Sequence, residues 1–330
     1  MLLSDEIISN SKWVADMQLS DRIGRRLKLQ DLHVLMTVVQ AGTMGKAAQH
    51  LNTTQLNISR AIAELEHAFG VRLLDRSRQG VEPTQYGRVL LGCAAAVFDE
   101  LRQGAKSIEF LADPTGGEIR VAGNEYIIAG LIATVFGRLR QQYPGIAIDV
   151  APVGIISEQH RALRERKVDL VVGRVGQSHE DDIDTEVLFN DRITVVAGLE
   201  NPWSRRRKIH LSELADEPWV LPPADTPVGA LVAELFGARG LKFAPRGMAR
   251  GSVHLVCSLV ASGAFLGLMP NSFLRFGTNL PPFKILPVKL SMPPLPVGIM
   301  TLKNRTISPV TRLFIDRTRE LARPLAKQRR

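Results

Sequence analysis

The sequence predicts an α/β protein built from an N-terminal winged helix-turn-helix head, one long linker helix and a strand–helix body. Three observations carry this. From Leu29 to Phe69, apolar residues recur three and four apart, interrupted by two short turns. From Tyr86 to Leu111 the same spacing continues without a proline. Beyond Gly117, short runs of Val, Ile and Leu alternate with helical stretches, which implies a parallel sheet with helices on both faces.

The first helix is expected to be capped by Asp31, with Leu32, Leu35, Met36 and Val39 on its inner face. Ala41-Gly42 stops it. Thr43 caps a second helix, Met44 to Leu51, whose Ala47-Ala48 pair permits close packing. Asn52-Thr53 turns the chain into a third helix, from about Thr54 to Phe69, which ends at Gly70. Its inward stripe is Ile58, Ile62, Leu65 and Phe69. Gln55, Asn57, Ser59 and Arg60 stand off that stripe near the N-terminal end. In a helix-turn-helix this end enters a major groove, where amide and guanidinium forks read base edges. Two short apolar strands then flank a basic tip with Arg76, Arg78 and Gly80. That is a wing, whose arginines would hold phosphates or enter the minor groove.

Charge supports a polyanionic partner. The chain has 330 residues and a net charge of +9. From Arg22 to Arg88 there are ten Lys or Arg and five Asp or Glu, so a basic excess coincides with the helix-turn-helix. Arg205 to Lys208 and the tail from Arg312 carry further basic clusters without a motif, and read as solvated surface. The length allows two or three domains. No run of about 18 apolar residues marks a membrane span. Met1 to Lys28 lacks the pattern of a signal peptide, which points to the cytoplasm. Cys93 and Cys257 form neither a disulfide framework nor a metal motif.

Ala41-Gly42-Thr43, Ala47-Ala48, Thr54-Gln55, Ile58 to Ile62, Leu65-Glu66, Gly70 to Arg76, Pro83-Thr84 and Gly87-Arg88 together resemble the N-terminal domain of LysR-type transcriptional regulators. The match runs from Leu29 to about Arg88. One departure is Leu56, which stands where the family often has Pro. The resemblance implies a regulator that binds double-stranded promoter DNA as a homodimer or tetramer. It also implies a small-molecule effector, contact with RNA polymerase, and more often activation than repression, here of a metabolic or transport gene. Thr54, Leu56 and Thr84 join the candidate DNA contacts on this ground.

Leu90, Ala94, Val97, Leu101, Gly104, Ile108 and Leu111 fall alternately four and three apart. This is a heptad seam. By resemblance it is the linker helix through which two subunits pair, with Leu90, Val97, Leu101 and Ile108 as its contacts. Asp113 to Gly117 is a hinge by composition. Strands are expected at Glu118 to Ala122, Ile146 to Val150 and Asp169 to Gly173, then at Ile193 to Ala197, Trp219 to Leu221, Phe265 to Met269, Phe283 to Leu290 and Val297 to Leu302. The body resembles a periplasmic-binding-protein-like pair of lobes around a cleft. The expected domains are an extension at 1–28, the head at 29–88, the linker at 86–112 and an effector-binding domain at 117–330. Its first lobe would take about 117–191 and 285–330, and its second about 192–284.

Ligands of two-lobed α/β domains sit beyond the carboxyl ends of strands, where helix N-termini converge. Those ends here carry Asn124, Glu125, Tyr126, Arg174, Thr226 and Ser252. Arg174 would suit a carboxylate or phosphate, or pair with Glu180 to Asp182. Asn124, Glu125 and Thr226 would hold hydroxyls, so a small hydroxylated acid or sugar is expected. Glu125 would equally serve as a bridge between lobes. No GxSxG, SxxK, HExxH, Walker A or GxGxxG motif is present. The His179 to Asp182 run lacks a second His at metal-ligand spacing. No catalytic residue, metal or cofactor is therefore assigned. The competing classes are a solute-binding protein or an enzyme fused to a DNA-binding head.

Overall fold

The computed structural model describes residues 27–77, 80–176, 180–221, 227–237, 248–249, 252–277 and 280–327. The extension up to residue 26, Arg78, His179 and Thr226 thus lie outside the described residues. Two units divide the chain, one up to Leu101 and one from Arg102.

In the first unit, α1 (Leu29–Ala41), α2 (Met44–His50) and α3 (Gln55–Phe69) form the three-helix core. The wing is an antiparallel pair, β1 (Leu74–Ser77) with β2 (Gly80–Pro83). The long helix α4 (Gln85–Ala112) follows. Three caps are as the sequence indicates. Thr43 accepts the backbone N–H of Lys46, and Gly42 and Gly70 close α1 and α3 in the left-handed region at φ 74° and 69°. The Asp31 cap is corrected. The helix starts earlier, because the carbonyl of Lys28 accepts N–H groups from Asp31 and Leu32. Asp31 is instead buried in the first turn. Leu35, Val38, Ala47, Ile58, Ile62, Leu65 and Leu73 make the core. Phe69 does not complete the stripe and lies at the surface.

The second unit holds two five-stranded sheets. The first has the order β4 (Gly145–Pro152), β3 (Gly116–Gly123), β5 (Leu170–Arg174), β12 (Leu295–Leu302), β6 (Ile183–Asp191). The second has the order β11 (Phe283–Ile285), β7 (Ile193–Gly198), β10 (Leu266–Pro270), β8 (Trp219–Val220), β9 (Met248–Ala249). The helices are α5 (Glu125–Ile127, continued by a π-helical turn Ile128–Ile132 and by Ala133–Gln142), α6 (Ile156–Arg164), α7 (Pro227–Gly237), α8 (Val253–Ala261), α9 (Asn271–Phe276) and α10 (Pro309–Ala326).

The expected all-parallel arrangement is corrected to mixed sheets. β3 runs parallel to β4 and β5, but β12 is antiparallel to β5 and β6. In the second sheet β7 is antiparallel to β10 and β11. The reason is topological. The chain passes between sheets twice, at Asp191–Ile193 and between β11 and β12, and the strands that follow these passages, β7 and β12, are the ones that run antiparallel to their neighbours. Strand β6 was not legible as one, since Asp184, Thr185, Glu186, Asn190 and Asp191 break its apolar run. β11 is shorter than expected because Pro287 offers no N–H to extend its pairing.

A buried ion cluster lies beneath the first sheet. The Asp169 carboxylate takes Arg120 at 2.8 Å, Arg305 at 2.8 Å and Lys106 at 3.5 Å. Gln103 Nε2 donates to it as well. Burial alone would raise the Asp169 pKa. The hydrogen bonds from Arg120 and the nearby Lys106 charge outweigh burial and hold it at about 2.

Candidate DNA interface and ligand cleft

Helix α3 presents a polar edge because its buried stripe holds the opposite face. Thr54 stands at the N-cap, its Oγ1 accepting the N–H of Asn57 at 3.3 Å. Asn57 Nδ2 donates to Thr53 Oγ1 at 3.1 Å, which fixes the orientation of that amide. Gln55, Leu56, Asn57 and Arg60 are exposed, and Ser59 is half-buried. Leu56 is the second residue of the helix and 72% exposed, an uncovered apolar group beside amide side chains. Such a group suits a thymine methyl.

The wing is fastened to this helix. Glu66 Oε1 accepts the N–H groups of Leu73 and Leu74. Arg76 is exposed on β1. Thr84 has a local structural task. Its hydroxyl donates to the Arg72 carbonyl at 2.8 Å and accepts the N–H of Gly87 at 3.0 Å, starting α4. Lys46, exposed on the first turn of α2, adds a positive charge that sequence reasoning did not single out. Between α1 and α3 lies a crevice of about 400 Å³ lined by Lys28, Asp31, His33, Asn57, Arg60 and Glu64. Burial, then the Glu64 charge, raise the pKa of Asp31 there.

On α4, Leu90 and Ala94 pack into the head's own core. The rest of the expected seam lies bare: Val97, Leu101, Ile108 and Leu111 are exposed, Leu101 at 53% and Ile108 at 70%.

In the body, β3 ends at Gly123, where a Cβ would stand 2.7 Å from the Val172 carbonyl, so only glycine fits. Asn124 follows as N-cap, its Oδ1 accepting the N–H of Ile127. Glu125 reaches the other sheet's layer, where its Oε2 accepts the N–H of Val253 at the start of α8, at 2.7 Å. Ser252 caps that helix. Tyr126 packs edge-on against Phe273, ring centroids 5.1 Å apart, and burial pushes its hydroxyl well above the ordinary value. It therefore acts between the lobes as an apolar contact.

Arg174 does not pair with the Glu180–Asp182 loop. Arg164 takes both of those carboxylates. Arg174 is half-buried at the end of β5, where burial lowers its pKa and the charge of Asp191 opposes that. Asp191 is itself engaged by Ser272, through Oγ and N–H.

A cleft of about 680 Å³ opens between the lobes. Glu125 and Ser252 line it, together with Ile128, Val150, Val253, His254, Cys257, Ser258, Phe273 and Leu280. The structure thus brings two of the expected effector residues to one cavity, while Asn124, Tyr126 and Arg174 are not on its walls. His254, Cys257 and Ser258 were missed. They share one face of α8 at spacings of three and four, but nothing in the sequence says which face meets the other lobe. Among the described residues, no three His, Cys, Asp or Glu side chains group to hold a metal ion. No helix among them is long and apolar enough to cross a membrane.

Two family models match. Residues 29–88 match the bacterial regulatory helix-turn-helix protein, lysR family, and residues 112–323 match the LysR substrate binding domain. Among curated relatives, the uncharacterized HTH-type transcriptional regulator YdcI of Escherichia coli K12 is 25% identical, over 92% of this chain and 99% of its own. The transcriptional dual regulator GltC of Bacillus subtilis is 25% identical, over 88% of this chain and 96% of its own. The regulator BenM of Acinetobacter baylyi is 27% identical, over 74% and 81%. Among solved structures, a full-length OxyR variant from Pseudomonas aeruginosa superposes with a TM-score of 0.61 at 20% identity, over 89% of this chain and 95% of that one. CbnR in complex with its target DNA does so with 0.59 at 18%, over 89% and 99%. These two show the shared fold.

Proposed function

The chain belongs to the LysR family of bacterial transcriptional regulators, and we propose that it reads its operator with the first turns of α3, pairs through α4 and senses a small molecule between the lobes of its body. It is a DNA-binding transcription regulator with an effector-binding domain. The observation that carries the proposed DNA contacts is the uncovered edge of Gln55, Leu56, Asn57 and Arg60 over a fully buried stripe. Ser59 lies beside them, Arg76 holds the backbone, and Thr54 and Thr84 set the two helix starts. Arg78 completes the wing from its place in the sequence.

Two substitutions test this against the DNA flanking its own gene. Gln55→Ala is expected to relax base preference by about 1–3 kcal/mol at one position. Arg76→Ala is expected to weaken all sequences alike and reduce the salt slope by about one. A footprint and salt dependence unchanged in both variants would remove these residues from the interface.

The bare stripe on α4 supports pairing with a second copy, as dimer or tetramer. Leu101→Glu places a charge where one chain alone leaves the side chain half in water, so the monomer tolerates it, and Glu keeps helix propensity. Sedimentation is expected to show loss of the dimer and of cooperative DNA binding. An unchanged oligomer would place the interface elsewhere.

The effector domain spans 117–330; of the expected contacts, Glu125 and Ser252 line its cleft, and Asn124, Tyr126, Arg174 and Thr226 keep their place in this reading from the sequence alone. The apolar walls favour a less hydroxylated ligand than the sugar or hydroxy acid suggested by the sequence. Binding shifts the lobe arrangement only through unequal affinity for two states. The protein works in the cytoplasm on promoter DNA, with RNA polymerase as its downstream partner and activation as its usual outcome. It releases its ligand unchanged, and turnover of a bound effector would mark the enzyme reading instead.

A further inference from the structure

We infer that the ligand of the interlobe cleft is a small cationic amine with an apolar body, such as one aromatic ring, and that Glu125 selects it by charge. This rests on the effector-sensing reading above and names the class of ligand for that site.

The cavity, about 680 Å³, has the size of a small-molecule site. Its walls are set by Ile128, Val150, Val253, Phe273 and Leu280. Against such walls a sugar, polar all round, would turn most of its hydroxyls to apolar surface, whereas an apolar body releases water there and loses no hydrogen bond. Charge then decides the other end of the ligand. Among the described lining residues Glu125 is the only carboxylate, none is Lys or Arg, and His254 and Cys257 are the other ionisable side chains. The Cys257 thiol, pushed up by burial, adds no negative charge. One oxygen of Glu125 accepts the Val253 N–H, and the carboxylate makes no other hydrogen bond among the described residues. A protonated amine would meet an opposite charge with an open acceptor. A carboxylate ligand would meet a like charge at short range. Ser252 and Ser258 add hydroxyls that also accept from an amine.

Glu125 also joins the lobes through the Val253 N–H, so an amine held on the carboxylate binds at a point where the two lobes meet. Ligand occupancy and lobe arrangement are thereby linked at one side chain.

Titration calorimetry on the full chain tests this with three probes: phenethylamine, 3-phenylpropionate and galactose. Phenethylamine is expected to bind at least about tenfold tighter than 3-phenylpropionate, with galactose not binding. Glu125→Gln keeps an acceptor for the Val253 N–H but loses the charge, and is expected to remove the difference between amine and acid. Ala129→Trp fills the cleft from an exposed position and is expected to block phenethylamine, with circular dichroism unchanged. The acid binding as tightly as the amine, an undiminished amine preference in Glu125→Gln, or no binding of the amine would each overturn the inference. Binding of wild-type protein to the DNA flanking its gene, measured alongside, separates the two levels. DNA binding without amine binding defeats this inference alone, and absence of DNA binding defeats the regulatory reading.

Discussion

Asp169→Ala is expected to lower the stability of the body by about 3–5 kcal/mol, the range for removing one partner of a buried charge cluster. The carboxylate is 3% exposed and is shared by Lys106, Arg120 and Arg305. Removing it leaves three cations around a site from which water is excluded. Arg305 is the most exposed to this loss, since its own side chain is also only 3% accessible. Urea unfolding of the full chain, read on the body's transition, checks the magnitude. The sign of the pH dependence follows from the depressed pKa. The folded carboxylate titrates near 2 against an ordinary 3.8, so its contribution is complete above the unfolded value and is lost as pH falls through that interval. Asp169→Asn is expected to flatten this part of the acid limb. Wild-type stability and an unaltered acid limb in both variants would show that the cluster contributes nothing.

Gly87→Ala is expected to disable the head while leaving the body folded. A Cβ at Gly87 would stand 2.1 Å from the Leu73 carbonyl oxygen, and that atom is backbone with no rotamer to yield. The same turn carries the Thr84 bonds to Arg72 and to the Gly87 N–H, and Thr84 N–H donates to Leu73. Relief of the overlap requires moving the start of α4 away from the wing. A cost of about 2–3 kcal/mol is expected, a large share of the stability of so small a domain. DNA binding should fall sharply, with a low-temperature melting step for the head and the body's step unmoved. Gly92→Ala, on the same helix with open space around its Cβ position, is the control and is expected to be neutral or mildly stabilising. Equal DNA affinity in Gly87→Ala and wild type would refute the overlap.

The head was legible because its signals are local. Thr43 and Thr54 cap within three residues, Gly42 and Gly70 end helices within one turn, and the apolar spacing of α3 names its buried side. Asp31 shows the limit of that reasoning. It has the residue type of a cap, but packing against α3 draws it into the first turn and the core. Thr84 shows another. The family resemblance put it among the candidate DNA contacts, whereas bonds to Arg72 and Gly87 already engage its hydroxyl.

The sequence by itself determined what depends on neighbours along the chain: the helix-turn-helix, the wing, the long helix, the strand–helix order of the body, and hence the family. Cap preferences and apolar periodicity act over a few residues, so they can be read without coordinates. Only the tertiary structure decided what depends on residues distant in sequence. It made the sheets mixed, placed Asp169 among Lys106, Arg120 and Arg305, gave the acidic loop to Arg164 rather than Arg174, and brought Glu125 to Val253 across 128 positions. Each of these is a match of charge or shape between elements, and such matches have no period or spacing in the chain that creates them.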